Sequence, residues 1–346
     1  MESSEEADVL AVEGSVNDDE TLVSALETFE LGFFSPGKSR NRYLGIWYKN
    51  SSEAVVWVAN RNNPIADTKG VLTVSDNGNL VLLDRKKSVV WSSNVSGTIE
   101  HPMTQLLDTG NLVLKDNKSI SERYLWRSFD PPSDTLLACM TIGWNLKTGE
   151  ERYLTSWKSA DDPSPGNFTY QLDRTGLPEL VIDRGSMKSY QTGPWNGIQF
   201  GAVPAVLNLI FKPTVISNES ELYYTFEAVS NALNIRLWLN QSRYLQRLIL
   251  EQGRNRWGVL YSVPLDQCGS YGFCGANSVC SSRKPHTCEC IQGFIPKSQG
   301  YMNCVRESSL DCQKGEGFLR LVRVKVPDLI KFQLNENLNR EKCEAC

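Results

Sequence analysis

Asp76-Asn-Gly-Asn-Leu-Val-Leu-Leu-Asp84 returns 32 residues later as Asp108-Thr-Gly-Asn-Leu-Val-Leu-Lys-Asp116. The shared part is turn chemistry feeding a strand. An Asp side chain can bond its own backbone downstream, and Gly accepts positive φ without cost. The Leu-Val-Leu that follows is a short apolar run expected to be buried on both faces. A turn and a buried strand repeated at fixed spacing mark an internal repeat. The surrounding text agrees. Tyr43-Leu-Gly-Ile-Trp-Tyr48, Ala54-Val-Val-Trp-Val-Ala59, Val89-Val-Trp91 and Tyr124-Leu-Trp126 are strand-like, and Trp57, Trp91 and Trp126 are spaced by 34 and 35 residues. Three quasi-repeats of that length, each too short to bury its own apolar face, are expected to meet on a shared axis. The three tryptophans are then core, not a ligand cage.

Composition narrows the function classes. The chain has 346 residues, enough for two or three domains. Its 36 basic and 40 acidic side chains give a formal charge of −4, which points to neither nucleic acid nor a membrane surface as partner. There is no 18-residue apolar run, so no membrane span is expected. Ten cysteines, six of them between residues 268 and 304, accompany six Asn-x-Ser/Thr sequons at Asn50, Asn94, Asn117, Asn167, Asn218 and Asn240. Together they predict a secreted, glycosylated, oxidised protein. Met1-Glu-Ser-Ser-Glu-Glu-Ala7 is acidic and lacks an apolar core, so it does not read as a secretory leader; the rest of the chain favours a leader missing from this version.

Phe29-Glu-Leu-Gly-Phe-Phe-Ser-Pro-Gly37, Tyr43–Tyr48, Val56-Trp-Val-Ala-Asn-Arg61 and the two Gly-Asn-Leu-Val-Leu segments resemble the plant S-locus glycoproteins. They equally resemble the ectodomains of S-domain (G-type lectin) receptor-like serine/threonine kinases. The likeness continues through Thr155-Ser-Trp-Lys-Ser-Ala-Asp-Asp-Pro-Ser-Pro-Gly166 and Gly193-Pro-Trp-Asn-Gly197. It implies an all-β chain: tandem β-prism (bulb-lectin-like) domains, then a small disulfide-rich EGF-like module and a truncated PAN/apple segment. The expected bounds are 1–7 for a non-family stub, 8–150 and 151–263 for the two lectin-like domains, 264–306 for the EGF-like module and 307–346 for the PAN/apple region. Pro163-Ser-Pro-Gly166 reads as a loop at the domain boundary, and Ile235-Arg-Leu-Trp-Leu239 as a half-buried strand.

Six cysteines in 37 residues read as a disulfide scaffold, for which sequence alone allows fifteen pairings. The EGF-like resemblance implies Cys268–Cys280, Cys274–Cys288 and Cys290–Cys304. Zinc is disfavoured because the cluster holds no paired Cys-x2-Cys knuckles. Calcium is disfavoured because Pro264 stands where an acidic ligand is needed. No metal and no cofactor are expected. Cys312, Cys343 and Cys346 lack their family partners, and Cys139, where the family has Gly, is expected to be buried and unpaired.

No catalytic constellation is found. Only His101 and His286 are available, and Gly-x-Ser-x-Gly, His-Glu-x-x-His, Walker and kinase motifs are absent from the chain. Mannose-binding bulb lectins use Gln-x-Asp-x-Asn-x-Val-x-Tyr. Here Gln105, Asp108, Asn111 and Val113 form a degenerate version, with one residue too many on each side of Asp108 and Lys115 in place of Tyr. A shifted register misplaces a bidentate polar contact beyond hydrogen-bond tolerance, so a turn-closing role outweighs a sugar site. The resemblance also implies ligand contact by a segment near residues 200–220. Its candidates are Phe200, Leu207, Leu209 and Phe211, which read equally as a buried strand. The partners implied are a secreted cysteine-rich peptide or protein ligand, a homodimer or co-receptor, and a glycan. The roles implied lie in pollen recognition, immunity or development. A mannose-binding lectin and a truncated, non-signalling decoy are the alternatives.

Overall fold

The structure is a computed structural model and describes residues 8–10, 14–119, 123–201, 209–230, 233–251, 253, 255–281, 287–298 and 301–309. It divides into two compact units, Met1–Leu172 with Val206–Ser262, and Asp173–Ala205 with Val263–Cys346.

The first unit opens with twelve short strands: β1 (Val9–Leu10), β2 (Ser15–Asn17), β3 (Thr21–Val23), β4 (Phe29–Phe34), β5 (Tyr43–Tyr48), β6 (Ser51–Val58), β7 (Val71–Val74), β8 (Leu80–Leu83), β9 (Val89–Ser92), β10 (Pro102–Leu106), β11 (Leu112–Asp116) and β12 (Trp126–Arg127). They pair antiparallel into three four-stranded sheets, β3-β4-β5-β6, β2-β7-β8-β9 and β1-β10-β11-β12. This is a three-sided β-prism. The third strand of each sheet supplies the core: Leu44 and Ile46, Leu80 and Leu82, and Leu112 and Leu114 are fully buried. Each of these sheets would be marginal alone, and stacking the three buries one continuous apolar interior.

Trp57, Trp91 and Trp126 occupy the same place in the three sheets. Their rings meet edge to face, with centroids 5.8, 5.8 and 5.5 Å apart, the arrangement favoured by the aromatic quadrupole. Trp57 is buried, whereas Trp91 and Trp126 are only half-buried, because the triad closes one end of the prism axis.

The repeated turn behaves as its glycines require. Gly78 and Gly110 sit at φ 81° and 82°. In each turn a backbone N–H closes on the same atom, Gly78 to Ser75 O at 2.7 Å and Gly110 to Leu107 O at 2.9 Å. The Asp side chains do something else than expected. Asp108 accepts from Leu26 N–H at 2.7 Å, across to another sheet, and in the first copy Asn77, not Asp76, accepts the local N–H of Asn79.

The first unit continues with β13 (Thr135–Leu137), β14 (Ile142–Asn145), β15 (Glu151–Arg152), β16 (Leu154–Ser159) and β17 (Asp162–Asp173). Beyond β18 (Glu179–Arg184) and β19 (Met187–Gln191), a hairpin of the second unit, the chain returns with β20 (Phe211–Ser217), β21 (Glu221–Ala228), β22 (Ile235–Leu239), β23 (Leu245–Glu251) and β24 (Arg256–Val263). Two further four-stranded sheets result, β13-β22-β23-β24 and β15-β14-β21-β20, beside the β16–β17 hairpin.

Three expectations are corrected here. Pro163-Ser-Pro-Gly166 is strand, not loop. Its prolines are tolerated because β16 and β17 are bulged around Trp157, which pairs with Pro165. The β22 strand is buried except at half-buried Trp238, since the Arg236 guanidinium lies 4.6 Å from the Trp257 ring and the Trp238 indole N–H donates to Asp134 at 2.8 Å. Cys139 is exposed and outside any disulfide, not buried; its φ of 67° explains why a Gly suits this position.

In the second unit the cysteine-rich stretch holds a one-turn 3-10 helix at Gln267–Gly269 and two hairpins, β25 (Ser278–Cys280) with β26 (Cys288–Cys290) and β27 (Phe294–Ser298) with β28 (Tyr301–Arg306). Three disulfides, Cys268–Cys280, Cys274–Cys288 and Cys290–Cys304, tie it together. It is fastened to the β18–β19 hairpin: Tyr271 N–H donates to Ser189 O at 2.9 Å, and Lys188 Nζ lies 5.6 Å from the Tyr271 ring while bridging Asp173 at 3.0 Å and Glu179 at 3.4 Å. Cys312, Cys343, Cys346 and His286 lie outside the described residues.

Candidate recognition site

Strands β10 and β11 and the turn between them carry Gln105, Asp108, Asn111 and Val113, each held by a contact within the scaffold. Gln105 Nε2 donates to Asp8 Oδ2 at 2.9 Å. Asp108 Oδ1 is occupied by Leu26 N–H. Asn111 is buried, and its Oδ1 accepts from Ser128 Oγ–H at 3.2 Å and from Phe129 N–H at 3.3 Å. Val113, paired across the sheet with Gln105, is fully buried.

The other sheets use the same device. Leu112 N–H donates to Ser128 Oγ at 2.9 Å, Leu80 N–H to Ser93 Oγ at 3.1 Å, and Leu44 N–H to Asn60 Oδ1 at 2.8 Å. Ser93 Oγ–H then donates to Asn79 Oδ1 at 2.8 Å, as Ser128 does to Asn111. The repeated Asn is therefore a buried tie between neighbouring strands. Removing its partner would leave a polar group unsatisfied in the core.

The four contact candidates separate. Phe200 is buried against Trp195, ring centroids 5.0 Å apart. Phe211 is buried beside Phe226 at 5.9 Å, and the Arg247 guanidinium lies over both rings at 4.4 and 4.0 Å. Both are core, which corrects the contact reading for them. Leu209 is 82% exposed, and Leu207 lies outside the described residues. Of the six sequons, Asn50, Asn94, Asn117, Asn167 and Asn218 are exposed. Asn240 is half-buried, its Oδ1 accepting from the backbone of Ser242 and Tyr244. The sulfurs of Cys274, Cys280 and Cys288 lie within 4.8 Å of one another, but all are consumed in disulfides and none is a thiolate ligand.

A feature not anticipated from sequence is a cleft of about 300 Å³ at the tryptophan end of the prism. Trp57 and Trp91 meet Pro131, Pro132 and Pro165 there, with Asn62 and Asn63 on the rim. The Trp57 indole N–H is committed to Pro131 O at 3.0 Å. Arg61 lines the cleft too, and backbone carbonyls hold its head in place. Its Nε donates to Pro163 O at 2.6 Å, and its Nη2 to Thr155 O at 3.0 Å and Ser156 O at 3.1 Å. Behind it Asp134 is buried, and that burial raises its carboxyl above the usual range, with Arg61, the Trp238 indole and Arg236 pulling the other way. Val56-Trp-Val-Ala-Asn-Arg61 was a legible motif, but its partners stand between 74 and 102 residues away, so no local signal revealed the cleft.

The all-β prism and the disulfide-tied, cysteine-rich segment define the fold class. Residues 54–158 match the family described as D-mannose binding lectin, and residues 190–298 the S-locus glycoprotein domain. The S-locus-specific glycoprotein S6 of Brassica oleracea is 39% identical over 95% of this chain and 78% of its own length. Receptor-like serine/threonine-protein kinase SD1-8 of Arabidopsis thaliana is 39% identical over 95% of this chain, which spans 40% of that kinase. A mannose-binding lectin of Gastrodia elata, known from its crystal structure, is matched at 20% identity and TM-score 0.28 over 35% of this chain and 96% of its own. The chain belongs to the S-locus glycoprotein family, together with the matching regions of the lectin receptor kinases.

Proposed function

We propose that this chain is a non-catalytic, extracellular recognition module that binds a peptide or protein ligand in cell-surface recognition, of the kind that serves pollen recognition or immune and developmental signalling. The observation that carries this reading is the fate of the sugar-register side chains: Gln105, Asp108 and Asn111 are bonded within the scaffold to Asp8, Leu26 and Ser128, and Asn111 is buried. Exposed sequons and three disulfides support an oxidising, extracellular setting. The disulfide order first to third, second to fourth and fifth to sixth supports an EGF-like module at 264–306, after lectin-like domains at 8–150 and 151–263 and before a PAN/apple region at 307–346. Ligand engagement is coupled to a homodimer or a co-receptor in this reading.

Size exclusion of the glycosylated protein, with and without a candidate cysteine-rich peptide, tests it. A ligand-dependent shift to a dimer is expected, and no shift with any such peptide counts against the receptor role. The second reading, a mannose lectin, is favoured by the match of residues 54–158 to that family; it requires saturable mannoside binding.

A further inference from the structure

In an Asn-Gly pair the backbone nitrogen reaches the preceding side-chain amide with little obstruction, because glycine has no Cβ. The chain holds two such pairs, Asn77-Gly78 and Asn196-Gly197, and the fold treats them oppositely. Gly78 is buried, a Cβ there would stand 2.6 Å from Ile99 Cβ, and its N–H is committed to Ser75 O at 2.7 Å. Gly197 is exposed, has nothing within 4 Å of its Cβ position, and its N–H donates to no described residue. Beside it, exposed Asn196 accepts at Oδ1 from Ile198 N–H at 2.9 Å and Gln199 N–H at 2.8 Å. Two donors on that oxygen draw electrons from Cγ and hold the negative charge that attack at Cγ develops. Asn77 Oδ1 is likewise bonded, by Ser75 Oγ–H at 2.6 Å and Asn79 N–H at 3.2 Å, so the two glycine nitrogens make the difference.

We propose that Asn196 is a site of spontaneous deamidation, and that the prism protects Asn77 from the same reaction. Gly197 N loses its proton and bonds to Asn196 Cγ. The Cγ–Nδ2 bond breaks and the amide nitrogen leaves as ammonia, giving a succinimide. Water then adds to one of the two imide carbonyls. Addition at Cγ restores the chain with aspartate at position 196; addition at the backbone carbonyl leaves isoaspartate, with the chain running through Cγ. Either product adds a negative charge to the turn between Trp195 and Phe200, whose exposed tip is Ile198. An aspartate there can still accept from the Ile198 and Gln199 N–H groups. An isoaspartate lengthens the backbone by one carbon and breaks that register.

The test is peptide mapping by mass spectrometry of the full glycosylated chain, held folded at mildly alkaline pH and sampled over time. Conversion of Asn196 to a mixture of aspartate and isoaspartate is expected, faster at higher pH because Gly197 N must lose a proton. Asn77 should convert about tenfold or more slowly, the factor for a buried hydrogen bond that must open first. In urea that difference should vanish. Asn196-Gly-Ile is not a sequon, so glycan release cannot leave an acid at that position. Gly197→Ala should suppress the conversion, but its φ of 94° strains an alanine, so the comparison with Asn77 in the same molecule carries the decision. An Asn196 that stays an amide while folded overturns the proposal. So does an Asn77 that converts as fast in the folded protein, or a difference that persists in urea.

Discussion

Gly110 shows how tightly single residues are placed in this prism. It has φ 82°, and a Cβ there would stand 2.8 Å from Leu137 and 2.9 Å from Phe29. Gly149 has φ 74° but open space around it. Both glycine-to-alanine changes incur the left-handed backbone cost of about 1–2 kcal/mol; only Gly110→Ala adds overpacking of a further 1–3 kcal/mol or so. Urea unfolding should therefore rank Gly110→Ala clearly below Gly149→Ala, and equal losses would place the strain in the backbone alone. The turn glycines were legible because their demand is local. The true partner of Asp108 was not, because Leu26 is 82 residues away in sequence. Buried phenols give a second prediction at this scale. Burial pushes Tyr224 up from 10.0 to about 12, against the opposing pull of Arg247, and raises Tyr48 further still. A raised phenol favours the folded state below pH 10, and that contribution is lost as pH rises through about 12. At pH 11, absorbance at 295 nm should show at least two fewer tyrosinates in the folded than in the unfolded protein; complete ionisation while folded would contradict the burial.

At the scale of elements, the threefold pattern was half visible. Two copies of the turn were readable, and the tryptophan spacing pointed to a third repeat. The third turn could not be read because the segment joining β4 to β5, residues 35–42, replaces Asp-x-Gly-Asn, and Asn60 takes over the bond that Ser93 and Ser128 make elsewhere. Propensity misled at β17, where Pro163 and Pro165 survive inside a strand through its bulges, and at β22, where cation–π contact lets Arg236 enter the core. The cysteine-rich element depends on covalent ties instead of a core, since its short hairpins bury little apolar surface. Replacing Cys290 and Cys304 together by Ser should cost that element about 2–5 kcal/mol. It should leave the near-ultraviolet circular dichroism of the Trp57–Trp91–Trp126 triad intact, because the triad belongs to the other unit. Loss of the triad signal would show that the prism does not stand without the disulfide.

Across the whole molecule, the polar groups of the repeat are engaged in the scaffold. Asn79 and Asn111 are buried ties, Arg61 binds the prism to β16 and β17 through three carbonyls, and the buried Asp134 lies among Arg61, Arg236 and Trp238. Such a network is assembled only when the prism and the following sheets are both in place, which makes that unit a platform. The central claim is that the sugar-register residues hold this platform together and do not read a sugar. Calorimetric titration of the glycosylated chain with methyl α-D-mannopyranoside at millimolar concentration tests it most directly. No saturable heat is predicted; saturable binding that weakens in Asp108→Ala would contradict the account.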